Sequence, residues 1–313
     1  MPTPPEVAAP APAPASPLRR WGGLAAGLLI LGFLAWALVD GWKAVSEYQW
    51  DLDPGLLTLS CLVLAAFYVL SGLGYTAIQD DMHHPGPPRR VTLSIWATSL
   101  LGRYVPGNVL MVVGRVVLAY ERGVPRRVTL GATTYEQVLT LGVAAAASVL
   151  YVGLYAGTDR DARLWFLALL PLGLVFLHPR VFGPLTAWAL AKAGRDPLPR
   201  LIPMGRLLAL LGWYTFVAGV LGVGVWLAVR AAAGPQSGGV AEIGLAFLLS
   251  FAVSMVAFIF PSGLGVREGA FALALAQNLP TGVAVALSVG TRVLLTVVEL
   301  AVIAVLAVVG RNR

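Results

Sequence analysis

The sequence has few charged residues and almost no cysteine. Only 12% of its 313 residues are Asp, Glu, Lys or Arg, about half the share in an average soluble domain. This scarcity excludes most soluble folds, and the apolar content of 58% points the same way. The one cysteine, Cys61, excludes an intramolecular disulfide and a cysteine metal cluster. We therefore expect neither a bound metal nor another cofactor.

Two motifs of common enzymes are also missing. The chain has no Gly-x-x-x-x-Gly-Lys-Ser/Thr loop, which excludes ATP hydrolysis by a P-loop. It has no Gly-x-Ser-x-Gly turn, which presents the nucleophile of many hydrolases. No nucleophile or metal constellation accompanies its buried acidic residues. The sequence therefore predicts a protein that is not an enzyme.

Long apolar runs dominate the rest of the chain. Runs of about twenty residues recur from Trp21 to Gly310, and that length crosses a hydrocarbon core roughly 30 Å thick. The pattern predicts an all-α polytopic membrane protein. The net charge of +7 would suggest a nucleic-acid partner in a soluble protein. Here the basic residues flank apolar spans, so we expect membrane lipids and no nucleic acid as partners.

Charge also predicts how the chain is organised across the membrane. Residues 1–20 form a Pro/Ala-rich tail expected to be disordered, residues 21–310 a single transmembrane domain, and residues 311–313 a short end. Residues 40–55 carry four acidic side chains against Lys43, whereas basic residues prevail at 19–20, 89–90, 121–127 and 192–206. Because Lys and Arg mark the cytoplasmic side, both termini are predicted to be cytoplasmic.

Two apolar stretches are interrupted by proline and glycine, at residues 102–108 (Gly-Arg-Tyr-Val-Pro-Gly-Asn) and 261–265 (Pro-Ser-Gly-Leu-Gly). Each interruption is flanked by halves too short to span, which favours a re-entrant helical hairpin. The charge pattern brings the two hairpins in from opposite faces, the arrangement of inverted-repeat transporters. We expect six full crossings plus two hairpins, with eight transmembrane helices as the alternative. The six predicted crossings are residues 21–39, 56–78, 128–156, 164–177, 207–229 and 283–309.

Ionisable residues at membrane depth are candidates for a site, because each one needs a partner, water or a ligand. Half-helices that begin after the interruptions would turn a positive dipole end towards the membrane interior, which suits a phosphate. The alternative is that Glu136, Arg292 and Glu299 neutralise one another and that the arginines lie beside ordinary kinks. The candidate substrate-binding residues are Arg103, Pro106, Gly107, Asn108, Arg115, Glu136, Pro261, Ser262, Gly263, Gly265, Arg267, Glu268, Arg292 and Glu299.

These motifs resemble a known family. Residues 102–108 with Gly114-Arg115, Arg122-Gly123-Val124 and Glu136, together with residues 260–269 (Phe-Pro-Ser-Gly-Leu-Gly-Val-Arg-Glu-Gly), are similar to the lysylphosphatidylglycerol synthase transmembrane region. That region includes the flippase half of the multiple peptide resistance factor. The resemblance implies an integral protein of a bacterial or archaeal plasma membrane that moves a lipid or lipid-linked molecule between leaflets.

The resemblance leaves a second class of function open. A non-transporting scaffold or accessory subunit would bring enzymes of envelope lipid or glycan synthesis as partners, and the oligomeric state stays open in either case. The larger synthases carry a soluble aminoacyl transferase domain, which we do not expect in this chain. We therefore expect no lipid aminoacylation by this chain.

Overall fold

A computed structural model describes residue 39 and residues 42–50, 52–104, 109–155, 202–256 and 265–311. Every element in these ranges is a helix. The elements are α1 (Trp42–Glu47), α2 (Pro54–Met82), α3 (Arg89–Leu100) with a 3-10 turn (Leu101–Tyr104), α4 (Val109–Tyr120), α5 (Arg126–Tyr155), α6 (Met204–Ala233) with a 3-10 turn (Pro235–Ser237), α7 (Val240–Val256), α8 (Val266–Leu275) and α9 (Thr281–Arg311).

Four of these helices are candidate membrane spans. Helices α2, α5, α6 and α9 contain 29 to 31 residues each, and all four are long and apolar enough to cross a bilayer. They confirm the prediction of an all-helical membrane protein. Two further predicted spans, residues 21–39 and 164–177, lie outside the described residues apart from Val39. The total of six crossings stays a prediction.

Helices α2 and α6 form the most extensive helix pair among the described elements. Helix α2 begins where the Asp53 carboxylate accepts hydrogen bonds from the backbone N–H groups of Gly55 and Leu56, as an N-cap does. Along the interface, Ser60 Oγ donates to the carbonyl of Gly224 at 2.7 Å. A Cβ at Gly224 would lie 2.6 Å from Leu64 Cδ2, so glycine permits this close approach.

The shorter helices form two hairpins around the predicted interruptions. Hairpin 1 consists of α3, its 3-10 turn and α4, and hairpin 2 consists of α7 and α8; the two arms pack together in each. The α-helices of the four arms contain 12, 12, 17 and 10 residues, and even 17 residues extend only about 26 Å. The predicted site residues Pro106, Gly107, Asn108, Pro261, Ser262 and Gly263 lie outside the described residues.

The two hairpins contact α9 from its opposite ends. Near the C-terminus of α9, Gly310 packs so closely on Ser94 of α3 that a Cβ would not fit. Towards the N-terminus of α9, Ser288 Oγ donates to the carbonyl of Glu268 in α8 at 2.8 Å. At the other end of hairpin 2, the side-chain amide of Asn278, just after α8, donates a hydrogen bond of 2.6 Å to Glu242 in the first turn of α7. The end of each hairpin that lies next to its interruption, its inner end, contacts the middle of α9, where Arg103 pairs with Glu299 and Glu268 pairs with Arg292.

Gly102 allows the arms of hairpin 1 to cross closely, and its replacement by alanine should destabilise the protein. A Cβ at Gly102 would lie 2.6 Å from the carbonyl carbon of Leu110 and closer still to the backbone of Met111. Because backbone cannot rotate away, we expect a loss of about 1–3 kcal/mol, measured as a lower melting temperature in detergent. Gly114→Ala is the control, since nothing lies within 4 Å of its Cβ position. Equal melting temperatures for the two variants would contradict this packing.

Candidate functional site

Five charged residues from both hairpins and α9 gather where the inner ends of the hairpins meet α9. This central charge cluster consists of Arg103, Arg267, Glu268, Arg292 and Glu299. Arg103 lies in the 3-10 turn that ends the first arm of hairpin 1, and Arg267 and Glu268 lie in the first turn of α8. Arg292 and Glu299 are seven residues apart in α9, or about 10 Å along its axis.

Glu299 joins α9 to hairpin 1. Its Oε1 lies 3.0 Å from Nη1 of Arg103, and its Oε2 accepts a hydrogen bond of 2.9 Å from the hydroxyl of Tyr104. Glu299 is only 4% exposed, whereas the Arg103 side chain is 36% exposed. The carboxylate is therefore buried and neutralised by a cation that still faces outward.

Glu268 joins α9 to hairpin 2. Its Oε2 accepts a hydrogen bond of 2.8 Å from the backbone N–H of Gly265, and its Oε1 lies 3.6 Å from Nε of Arg292. Gly265 precedes α8 with a φ of 89°, in the left-handed region that favours glycine. The Glu268 carboxylate thus occupies the positive N-terminal end of α8 and forms an ion pair with α9.

Arg267 has a different environment from the other two arginines of the cluster. Its guanidinium lies over the rings of Phe247 and Phe251 in α7, at 4.4 and 5.4 Å from their centroids. No carboxylate of the described residues forms an ion pair with it, and its buried Nε has no hydrogen-bond partner among them. Arg292 and Glu268 are close enough to act on its charge. Arg267 as a whole is only partly buried, but burying part of a cation without a paired anion is costly, so this position favours an anionic partner.

A second charged cluster lies within the helical bundle, apart from the first. Arg115 of α4 is 1% exposed and forms an ion pair with Glu136 of α5. Its Nε also donates to Ser99 Oγ of α3 at 2.9 Å, and its guanidinium lies 4.5 Å from the ring centroid of Tyr75 in α2. Trp96 Nε1 donates to the other oxygen of Glu136 at 2.6 Å. This pair joins both arms of hairpin 1 to α5 and α2.

Comparison with known families identifies the chain's relatives. The sequence model described as the lysylphosphatidylglycerol synthase TM region matches residues 23–303. The chain belongs to this family. The match includes both hairpins and the whole central charge cluster, and it confirms the resemblance seen in the motifs. No curated protein and no solved structure matches the chain. Membership associates the protein with lipid or envelope biosynthesis or with lipid flipping.

The predicted site residues of this family member separate into two groups. The central charge cluster and Gly265 come together, whereas Arg115 and Glu136 lie elsewhere and pair with each other. The alternative in which Glu136, Arg292 and Glu299 neutralise one another is therefore wrong, because each of the three forms its ion pair with a residue outside that set. Phosphate binding by Arg115 stays a prediction, one that its present partners do not favour.

Sequence reasoning missed the aromatic partners of the site. Phe247 and Phe251 are four residues apart, which puts both on one face of α7, and that face supports Arg267. Tyr104, next to Arg103, holds Glu299. The spacing of the two phenylalanines was visible in the sequence, but in an apolar helix it is indistinguishable from ordinary packing.

Proposed function

We propose that this protein moves a phospholipid, or another lipid-linked anionic molecule, between the leaflets of the membrane. The observation that carries the proposal is Arg267, a partly buried arginine whose buried Nε has no hydrogen-bond partner and which pairs with no carboxylate among the described residues. A phosphate offers the oxygen acceptors that a guanidinium matches. A lipid headgroup at the cluster would supply the missing anion while its acyl chains stay in the bilayer.

The proposed placement in the membrane follows from the two ends of the bundle. At the end where α9 finishes, Arg89 pairs with Asp80 and Arg206 pairs with Asp81, at 3.0 and 2.7 Å. The opposite end carries the acidic residues Glu47, Asp53 and Glu242 and, among the described residues, two basic ones, Lys43 and Arg230, whereas the first end also carries Arg90, Arg122, Arg126 and Arg127. By the positive-inside rule the first end faces the cytoplasm. Hairpin 1 would then enter the membrane from the cytoplasm and hairpin 2 from outside, both re-entrant.

Two ion pairs suggest how a polar path could open. Arg103–Glu299 holds hairpin 1 to α9, and Glu268–Arg292 holds hairpin 2 to the same helix. A shift of one hairpin along α9 can therefore break one pair without breaking the other. In this mechanism Arg267 binds the phosphate and the four paired residues shape the path. The proposal leaves Arg115 out of the path and assigns no chemical step to the chain.

Reconstitution tests the proposal. The purified full-length protein is incorporated into vesicles that contain a trace of phosphatidylglycerol carrying a fluorescent label on its headgroup side. Dithionite added outside bleaches only the outer leaflet of protein-free vesicles, because it does not cross the bilayer. We expect the protein to bring inner-leaflet label to the outside, so that the fluorescence falls further.

An unchanged bleaching plateau would contradict translocation and favour the scaffold alternative. Vesicles that hold the same amount of heat-denatured protein are the control for leakage. A soluble fluorophore trapped inside the vesicles checks that the protein has not made them permeable to dithionite itself.

A further inference from the structure

The central charge cluster contains one more arginine than carboxylates. Arg103 pairs with Glu299 and Arg292 with Glu268, which leaves Arg267 as the uncompensated cation of the five. The sequence segments that connect the hairpin arms, residues 105–108 and 257–264, contain no acidic residue. Neither segment can therefore supply the missing negative charge. The cluster as described carries one net positive charge.

Glu268 is one of the two carboxylates that limit that surplus. It follows Arg267 directly in the chain, and its carboxylate both accepts from Gly265 N–H and pairs with Arg292. The N-terminal end of α8 carries about half a positive charge, which favours anions. Because Glu268 already occupies that end, the helix adds little attraction for a ligand. What remains for the ligand is the single charge of Arg267.

We infer that Glu268 is a specificity-determining residue: it limits the site to one unpaired positive charge and so favours a singly charged phosphodiester headgroup over a doubly charged phosphate. The inference rests on the headgroup site of the proposed function. A phosphodiester carries one negative charge, whereas a phosphate monoester carries about −1.5 to −2 near neutral pH. The second charge would stay uncompensated in a region of low dielectric constant, where it is costly.

Lipid binding, measured separately from transport, tests the inference. The purified full-length protein in neutral detergent is titrated at pH 8 with phosphatidylglycerol, a phosphodiester, and phosphatidic acid, a monoester, with matched acyl chains. Native mass spectrometry gives the ratio of their dissociation constants. We expect the wild type to prefer phosphatidylglycerol. Glu268→Gln should shift the ratio towards phosphatidic acid by roughly tenfold or more.

Glutamine is the informative replacement because its amide oxygen can still accept from Gly265 N–H while the negative charge is lost. Glu299→Gln is a second variant that also raises the net charge of the central charge cluster to two positive charges. It replaces Glu268→Gln in the binding test if that variant does not fold. Glu242→Gln is the matched control. Glu242 accepts from the backbone N–H of Gly239, three residues before it, but it lies at the other end of hairpin 2.

The outcomes separate the inference from the proposed function. A wild-type ratio in both Glu268→Gln and Glu299→Gln would overturn the inference, as would the same shift in Glu242→Gln. Selective binding by a protein that fails to move lipid in vesicles would support the charge limit and contradict translocation. Translocation by the wild type, together with an unchanged ratio of the two dissociation constants in the variants, would support translocation and overturn the charge limit.

Discussion

Arg267→Gln is expected to abolish lipid translocation while the helical bundle stays folded. The substitution removes the uncompensated cation and leaves a cluster of zero net charge, so an anionic headgroup loses its partner. A hydrogen bond to a charged group contributes about 1.5–3 kcal/mol. Loss of two such bonds would slow translocation at least about a hundredfold. The measurement is the rate of dithionite bleaching in vesicles.

Stability separates this role from a structural one. Removing Arg267 forfeits its contacts with Phe247 and Phe251, worth about 0.5–2 kcal/mol in total. It also removes the cost of partly burying a cation without a paired anion, which offsets that loss. We therefore expect a melting temperature close to that of the wild type. A residue that only held the fold together would lower it.

The chain offers a matched control for the same chemical change. Arg230 lies 5.3 Å from the ring centroid of Trp226, so Arg230→Gln also removes one positive charge and one contact with an aromatic ring. It lies near the end of α6, outside the central charge cluster. Full activity in Arg230→Gln together with loss in Arg267→Gln would support the proposal. A wild-type rate in Arg267→Gln would remove this residue from the mechanism.

The long helices could be predicted from the sequence because the bilayer sets their length. The predicted spans 56–78, 128–156, 207–229 and 283–309 correspond to α2, α5, α6 and α9 within a few residues. In lipid every backbone polar group must be satisfied internally, so an apolar run of about twenty residues has few alternatives to a helix. The short arms were predicted for a related reason, since proline and glycine interrupt their apolar runs.

The pairing of charges could not be predicted in the same way. Spacing within one helix put Arg292 and Glu299 on the same face of α9. It did not predict which residues on other helices they contact. Each of them pairs with a different hairpin, through Glu268 and Arg103. Partners on other helices depend on how helices pack in three dimensions, which the period of a single helix does not contain. The separation of Arg115 and Glu136 from the site has the same origin.

Breaking the buried pair of Arg115 and Glu136 should have the largest effect on stability. Glu136→Gln leaves the guanidinium of Arg115 buried without a counter-charge, and Arg115→Met leaves the carboxylate in the same state. Each variant is expected to lose about 3–5 kcal/mol, seen as a lower melting temperature in detergent and a smaller folded fraction on size exclusion. Lys43→Met is the control, because its partner Glu47 is 4.0 Å away and their side chains are 84% and 67% exposed. That pair contributes less than about 0.5 kcal/mol.

The double variant Arg115→Met with Glu136→Leu tests whether the pair of Arg115 and Glu136 has a structural role or binds the phosphate. Apolar residues of similar volume leave no uncompensated charge, so we expect much of the stability to return and the two losses to be far from additive. If the pair only holds hairpin 1 to α5, this folded double variant binds phosphatidylglycerol as the wild type does. If Arg115 instead contacts the phosphate, binding is lost although the fold is restored. Wild-type binding would thus exclude Arg115 from the headgroup site and leave the central charge cluster, where Arg267 provides the unpaired charge, as the candidate.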